Sequence, residues 1–344
     1  MTSPILTSDF DYSLPSELIA QTPIEPRDHS RLMHLDRNLG IINHHIFYDI
    51  GSILRHGDLI VLNNSRVIPA RLIGTKANTA GAVEVLLLHR EGIGMWKALV
   101  KPGHRLRKGS VFTVDNVAVD ILEEHPDGIR SIYIHDESII HKAGLVPLPP
   151  YINTPLKDKE RYQTVYAKNE GSAAAPTAGL HFTNELLESL KLKGVRIAEV
   201  TLNVGLASFR PVKTNTPNDH ALHSEYFEID NIAANEINAA KSEGRRIICI
   251  GTTSVRVLEQ AYVLCQQAGA TYLTSISGWA NIFILPGHQF RLVDGILTNF
   301  HLPKSTLLML ISAFGSRDFI LDAYQKAIYE RYRFYSFGDA MLIT

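Results

Sequence analysis

With 344 residues the chain has room for two domains of ~150 residues each, and its 45% apolar and 20% charged residues are ordinary for a globular protein with a sizeable core. A net charge of −1 excludes a bulk electrostatic signal for nucleic acid, so any such partner must be held by local patches. No run approaches the ~20 apolar residues of a spanning helix, MTSPILTSDFDYS lacks a signal-peptide layout, and Cys249 and Cys265 form no CxxC pair, which predicts reduced, buried thiols in a cytoplasmic protein.

In chain order, Pro15 is placed to open a short helix through SELIAQ, TPIEPRDHS is a loop, and RLMHLD and GDLIVLN have strand character. From about residue 65 to 150 come VIPARLIG, AVEVLLLHR, MWKALV, SVFTV, VAVDILEE and IRSIYI. Turn signals such as EGIG, KPG, RKG and PDG separate them. Many short strands without long helices predict a small barrel or sandwich. The prolines of GLVPLPPYINTP mark a linker.

Beyond residue 180, strand alternates with helix. Thr183 is the expected N-cap of ELLESLKLKG, with Phe182 and Leu187 as a hydrophobic staple and Gly194 as the stop. VRIAEVTLNV is a strand, and Asp230 caps IAANEINAAKSEG. RRIICIG is a buried strand before a helix that places Val255, Leu258, Tyr262 and Cys265 on one face. IFILP and GILTNF are predicted strands. PKSTLLMLISAFG is predicted to bury Leu307, Leu310, Ile311 and Phe314, SRDFILDAYQKAIYERY is a helix, and DAMLIT is a strand. The alternation predicts an α/β fold built from 1–64 plus 151–344, with 65–150 as an inserted β-barrel domain.

Ligands of open α/β sheets bind where strands end and helices begin, and three such turns here are polar. In TNFHLPKST, Pro303 at the first helical position would leave free N–H groups, to which Lys304, Ser305 and Thr306 add a charge and donors suited to a carboxylate or phosphate. Ordinary capping with a solvated Lys304 is the alternative. In CIGTTSVRVLE, Thr252 or Thr253 caps, and Arg256 either grips an anion in fork geometry or makes a surface contact with Glu259 or Gln260. NEGSAAAPTAGLHFT is rich in Gly and Ala, which lets backbone approach a ligand, with Thr177 and His181 behind it; a flexible linker is the alternative. There is no GxGxxG, HExxH, GxSxG or Walker loop. KPGHRLRKG offers Lys101, Arg105, Arg107 and Lys108 to phosphates, against a solvated loop as the alternative. Tyr332 and Arg333 interleave ring and charge as at a stacked base, against core packing of the ring.

At these motifs, and at FDYSLPSELIAQTPIEPRDHSRLMHLDR, GDLIVLNNSRVIPARLIG, GLVPLPPYI, RYQTVYA, VTLNVGLASFRPV, LHSEYFEI and YRFYSFGDAMLI, the chain resembles the S-adenosylmethionine:tRNA ribosyltransferase-isomerases of queuosine biosynthesis, from about residue 9 to 343. The resemblance implies an α/β domain interrupted by a β-barrel, and a cytoplasmic, monomeric enzyme without metal or prosthetic group. It implies transfer and isomerisation of the ribosyl part of S-adenosylmethionine onto 7-aminomethyl-7-deazaguanine at the tRNA wobble position, giving epoxyqueuosine, adenine and methionine. Asn64, Ala173, Asn281 and His288 depart from the usual residues, so no catalytic role is expected of Asn281 or His288.

That chemistry asks for a base for the C5′ proton beside the sulfonium; His181 and His301 are the candidates, with the substrate amine as the alternative. Lys304 or Arg256 would hold the methionine carboxylate. Thr252, Thr253 and Asn299 would bind ribose hydroxyls or the adenine edge, and Phe209 or Tyr332 would stack on the extruded base. A phosphate-ester hydrolase would want a metal or acid cluster, and a non-catalytic RNA-binding module would be more basic.

Overall fold

The computed structural model describes residues 5–76, 81–205, 211–220, 222 and 224–344. The chain divides into two compact units: residues 1–64, 150–168 and 176–344 form one, and residues 65–149 and 169–175 the other.

In chain order the strands are β1 (Arg31–Asp36), β2 (Ile41–Ile46), β3 (Leu59–Asn63), β4 (Ser65–Val67), β5 (Arg71–Lys76), β6 (Ala82–Gly92), β7 (Met95–Lys101), β8 (Val111–Val114) and β9 (Val117–Glu124). They continue with β10 (Ile129–Ile134), β11 (Asn169–Ser172), β12 (Arg196–Leu202), β13 (Glu225–Ile229), β14 (Ile247–Ile250), β15 (Ile276–Ala280), β16 (Gly295–Asn299) and β17 (Ala340–Ile343). The helices are α1 (Ile50–Ile53), α2 (Ser138–Ala143), α3 (Asn184–Leu192), α4 (Asn231–Ser242), α5 (Thr252–Gln267), α6 (Thr306–Gly315) and α7 (Arg317–Tyr329).

The larger unit is built on a sheet of order β15-β13-β12-β3-β14-β16-β17-β1-β2. Its centre is parallel from β12 through β3 and β14 to β16. Every residue of β3, β14, β16 and β17 is buried, as central strands with both faces covered must be. Ile60, Leu62, Ile248, Ile250, Leu297 and Leu342 project from one face into a cluster with Leu186, Leu187 and Leu190 of α3. Helices α4 and α5 lie against the same strands and contribute nothing to that cluster, so they cover the opposite face. Phe182 is fully buried and Thr183 Oγ1 accepts from Leu186 N at 3.1 Å, so α3 starts at the staple and cap its sequence predicts. Asp230 caps α4 through Ala233 N at 2.8 Å.

The smaller unit holds a closed antiparallel barrel of order β10-β7-β6-β5-β8-β9. Val83, Val85 and Leu87 of β6, Trp96, Ala98 and Val100 of β7 and the matching residues of the other strands fill it, with Ile139 and Ile140 of α2 in the same cluster. Gly74 is obligatory, since a Cβ there would lie 2.3 Å from Thr113 O.

Several elements differ from the sequence expectation. Asn169–Ala175 belongs to the barrel unit rather than the α/β unit, because β11 pairs in parallel with β4. Ser16–Leu18 is a single 3-10 turn after Pro15. IFILP is not a strand: Gln260 Oε1 accepts from Asn281 N and Ile282 N, both at 3.0 Å, and holds that segment as a loop, while the strand lies upstream at β15. In α6, Leu308 and Met309 are buried and Leu307 only partly, because the helix is covered almost all round.

Candidate functional site

The three polar reversals sit side by side in the larger unit. Parallel pairing of β14 with β16 brings their C-terminal ends together, and Gly251 N donates to Leu297 O at 2.7 Å. Gly251 has φ +89°, which lets the chain turn directly into α5. The third reversal is the 3-10 helix Thr177–His181, packed on β16. Its Ala178 lies 3.8 Å from where a Cβ on Gly251 would stand, and its His181 Nε2 is 3.2 Å from Asn299 Nδ2.

His181 is buried, stacked on Phe47 with ring centroids 5.0 Å apart, and bonded through Nδ1 to Ser30 Oγ at 2.7 Å. The Asn299 amide, whose nitrogen also reaches Asp339 O at 3.5 Å, donates to Nε2, so the ring proton sits on Nδ1. Burial, followed by the charges of Arg161, Arg333 and Arg27, lowers the pKa of His181 to about 3. The sequence predicts a near-neutral base tuned by a helix start; the ring instead ends a 3-10 helix, and desolvation sets its pKa. A cavity of about 20 Å³ opens beside it, lined by Arg27, Ser30, Arg161, Leu180 and Phe337 among others. That space holds about one water-sized group.

His301 is different. Its ring bonds to Thr298 Oγ1 at 2.7 Å, its N–H donates to Tyr324 Oη at 2.8 Å, and its carbonyl accepts from Tyr12 Oη. Burial alone lowers its pKa to about 3, and it does not line the cavity. These contacts make His301 a core residue that fixes the reversal.

Two oxygens at the reversals are free. Thr253 Oγ1 and Asn299 Oδ1 are buried and have no hydrogen-bond partner among the described residues. Both suit a donor such as a ribose hydroxyl or an exocyclic amine. Thr252 is buried and Thr177 half-buried, at the first positions of their helices. Gly251, rather than either threonine, occupies the N-cap of α5.

Both expected carboxylate-binding cations are already engaged. The spacing predicts Pro303 as the first helical residue; α6 instead begins at Thr306, with Ser305 as N-cap accepting from Leu308 N at 3.2 Å and donating to Leu302 O at 2.7 Å. Lys304 therefore precedes the helix, in the left-handed region at φ +56°, and pairs with Asp11 at 2.7 Å. Capping, not anion binding, explains Ser305. Arg256 is buried rather than on the surface; it pairs with Glu225 and donates to Ala280 O at 3.2 Å. Glu225 also accepts from Gly205 N at 2.7 Å, so the pair ties the start of α5 to β13 and β15 and to the end of β12.

The small residues of NEGSAAAPTAG serve internal packing where they can be tested. A Cβ on Gly179 would lie 2.0 Å from Tyr166 Oη. Tyr332 is fully buried, with its hydroxyl 2.7 Å from His44 Nδ1 and Arg31 stacked over its ring, so it is no platform for a base. Arg333 is half-buried and donates to Thr22 O. Phe209 lies outside the described residues. In the barrel unit Lys101, Arg105, Arg107 and Lys108 are exposed and in no ion pair among the described residues. Arg130 beneath them is buried and donates to Leu106 O and Gly103 O at 3.1 and 3.3 Å, which fixes their loop. His288 bonds to buried Glu259 at 3.2 Å, a structural contact. Asn64 uses its amide on both sides, accepting from Thr201 Oγ1 at 2.8 Å and donating to Glu199 at 3.2 Å, a donation an acid could not make.

The sequence argument missed Arg27, Ser30 and Arg161. The signal was the charged run PRDHSR directly before β1, and the RYQTVYA motif.

The family model described as "Queuosine biosynthesis protein" matches residues 7–343. A protein of Dehalococcoides mccartyi strain CBDB1 named S-adenosylmethionine:tRNA ribosyltransferase-isomerase is 51% identical over 343 residues, 98% of this chain and 99% of its own. One of the same name from Clostridioides difficile strain 630 is 52% identical, with the same shares of each chain covered. The crystal structure of a Thermotoga maritima S-adenosylmethionine tRNA ribosyltransferase is 39% identical with a TM-score of 0.57, covering 98% of this chain and 100% of that one.

Proposed function

The chain belongs to the queuosine biosynthesis protein family as a ribosyltransferase-isomerase, and from that membership we propose that it moves the ribosyl group of S-adenosylmethionine onto 7-aminomethyl-7-deazaguanine at the wobble position of tRNA. The product is epoxyqueuosine-tRNA, and adenine and methionine are released.

One observation supports the reading: His181, Ala178, Gly251 and Asn299 bring the three reversals together, and Thr253 Oγ1 and Asn299 Oδ1 at those reversals have no hydrogen-bond partner among the described residues. The sulfonium acidifies the C5′ protons. His181 is the acceptor: it is neutral, its unprotonated Nε2 accepts from the Asn299 amide and is freed when that amide turns to substrate, and it lines the cavity, whereas His301 is held in the core. Taking one proton starts opening of the ribose and loss of adenine. Thr253 and Asn299 hold the sugar or the adenine edge, with Thr177 and Thr252 at the adjoining helix starts. The amine of the modified base then takes the opened sugar, and methionine leaves. The wobble base must leave its stack to reach the site.

Incubation with S-adenosylmethionine and tRNA carrying the aminomethyl base should release free adenine and methionine, and tRNA with unmodified guanine should release none. Adenine appearing without the modified base, or not at all, ends the proposal.

The exposed basic loop of the barrel supports a role in holding tRNA phosphates. Replacing Arg105, Arg107 and Lys108 together by glutamine should lower the slope of log K against log salt by up to ~3. An unaltered slope moves the tRNA face elsewhere.

A further inference from the structure

We propose that the cavity beside His181 is an oxyanion pocket in which Arg161 takes the α-carboxylate of S-adenosylmethionine, with the charge of Arg333 supporting it. The inference rests on the ribosyl-transfer reading and says where the amino acid end of that substrate goes.

Arg161 Nη1 and Arg333 Nη1 are buried and have no hydrogen-bond partner among the described residues. Buried guanidinium N–H groups are normally satisfied. The rest of each group is held in place. Arg161 donates to Glu25 through Nε and to Ile24 O at 2.7 Å through Nη2, and Arg333 Nη2 donates to Thr22 O. Each arginine thus keeps one N–H edge fixed and unused. Arg161 lines the cavity directly; Arg333 does not line it, but its charge reaches His181 at the cavity wall.

The cavity lining itself holds Arg27 and Arg161 and no carboxylate, with Glu25 paired to Arg161 and Asp339 near Arg333 outside it. Arg27 donates to three carbonyl oxygens, of Gln163, Leu180 and Glu160 at 2.8, 3.3 and 3.0 Å, which satisfy its N–H groups without cancelling its charge. Asp339 accepts from the backbone N–H of Arg31 and Arg333 at 2.9 and 2.8 Å, and Glu25 is largely exposed. His181 registers the excess, since all three arginines lower its pKa. The cavity of about 20 Å³ has room for a water-sized group, the scale of one carboxylate oxygen. Of the cations that the turn sequences offer, Lys304 pairs with Asp11 and Arg256 with Glu225, and neither lines the cavity.

The test is calorimetric binding of S-adenosylmethionine, of its decarboxylated analogue and of the precursor tRNA to the full chain and to Arg161→Gln, Arg161→Lys and Arg333→Gln. Each glutamine variant should bind S-adenosylmethionine roughly 10- to 100-fold more weakly, the span of a charge-assisted hydrogen bond, with Arg161→Lys in between. The analogue should bind the unsubstituted chain about as weakly and lose nothing further in the variants, and the variants should bind tRNA as tightly as the unsubstituted chain. Equal losses for both small ligands, or an analogue that binds the unsubstituted chain as tightly as S-adenosylmethionine, overturns the pocket. A loss confined to tRNA overturns it in favour of a phosphate. The analogue comparison needs no variant, so a misfolded Arg161→Gln does not rescue the idea. Absence of adenine release by the unsubstituted chain would instead sink the ribosyl-transfer reading; adenine release at saturating S-adenosylmethionine with a raised KM in the variants supports both.

Discussion

His181→Ala should lower kcat by roughly 10²- to 10⁴-fold, the usual contribution of a positioned proton acceptor, and should stop wash-out of deuterium from C5′ of labelled S-adenosylmethionine. His301→Gln should keep exchanging. Both rings are buried and both have pKa values lowered to about 3 by that burial, so their titration does not separate them. Their surroundings do. His181 borders a cavity and is held on two sides by Ser30 and Asn299. His301 is fastened at its ring, its N–H and its carbonyl by Thr298, Tyr324 and Tyr12. A neutral imidazole of such low pKa leaves no inflection near pH 6.5 in kcat/KM. Binding a carboxylate among Arg27, Arg161 and Arg333 would cancel part of what depresses it, so the ring gains basicity when substrate is in place. Full exchange in both variants would return the proton to the substrate amine, and exchange lost only in His301→Gln would reverse the two roles.

Glu225→Ala should destabilise the α/β unit by about 3–5 kcal/mol, because it strands the guanidinium of Arg256 in a buried site. The double variant Glu225→Leu with Arg256→Met should recover most of that loss, since apolar groups of similar size remove the charge and its partner together. Denaturant midpoints of the three chains, read on a helical signal, check this. A loss under 1 kcal/mol in Glu225→Ala would show that water reaches the pair. The double variant also bears on function: an unchanged KM for S-adenosylmethionine is expected, whereas a rise of tenfold or more would restore Arg256 as a substrate contact.

The alternation of strand and helix made the architecture legible, and the turn signals between residues 65 and 150 made the barrel legible. The Phe182–Thr183–Leu187 start of α3 was legible because capping is local, with all its parts within five residues. Pairings between distant side chains were not. Arg256 finds Glu225 31 positions upstream, and Lys304 finds Asp11 through a left-handed backbone that no sequence period reveals. Tyr332 shows the limit of patterning, because a buried ring and a base-stacking ring alternate with charges in the same way. β11 was misplaced for a related reason: its partner, β4, lies about a hundred residues earlier.

The path of the chain has a practical consequence. It passes between the units at four places, near residues 64, 149, 168 and 175, and does not enter and leave the barrel once. A protease cut in the linker near residue 150 therefore leaves both fragments threaded into both units. Deleting 65–149 strips β11 of the strand it pairs with and leaves Ser172–Ala175, now buried, with no barrel to be buried in. The barrel is thus a stitched-in part rather than a detachable cassette, and swapping it between relatives requires moving two stretches of chain together.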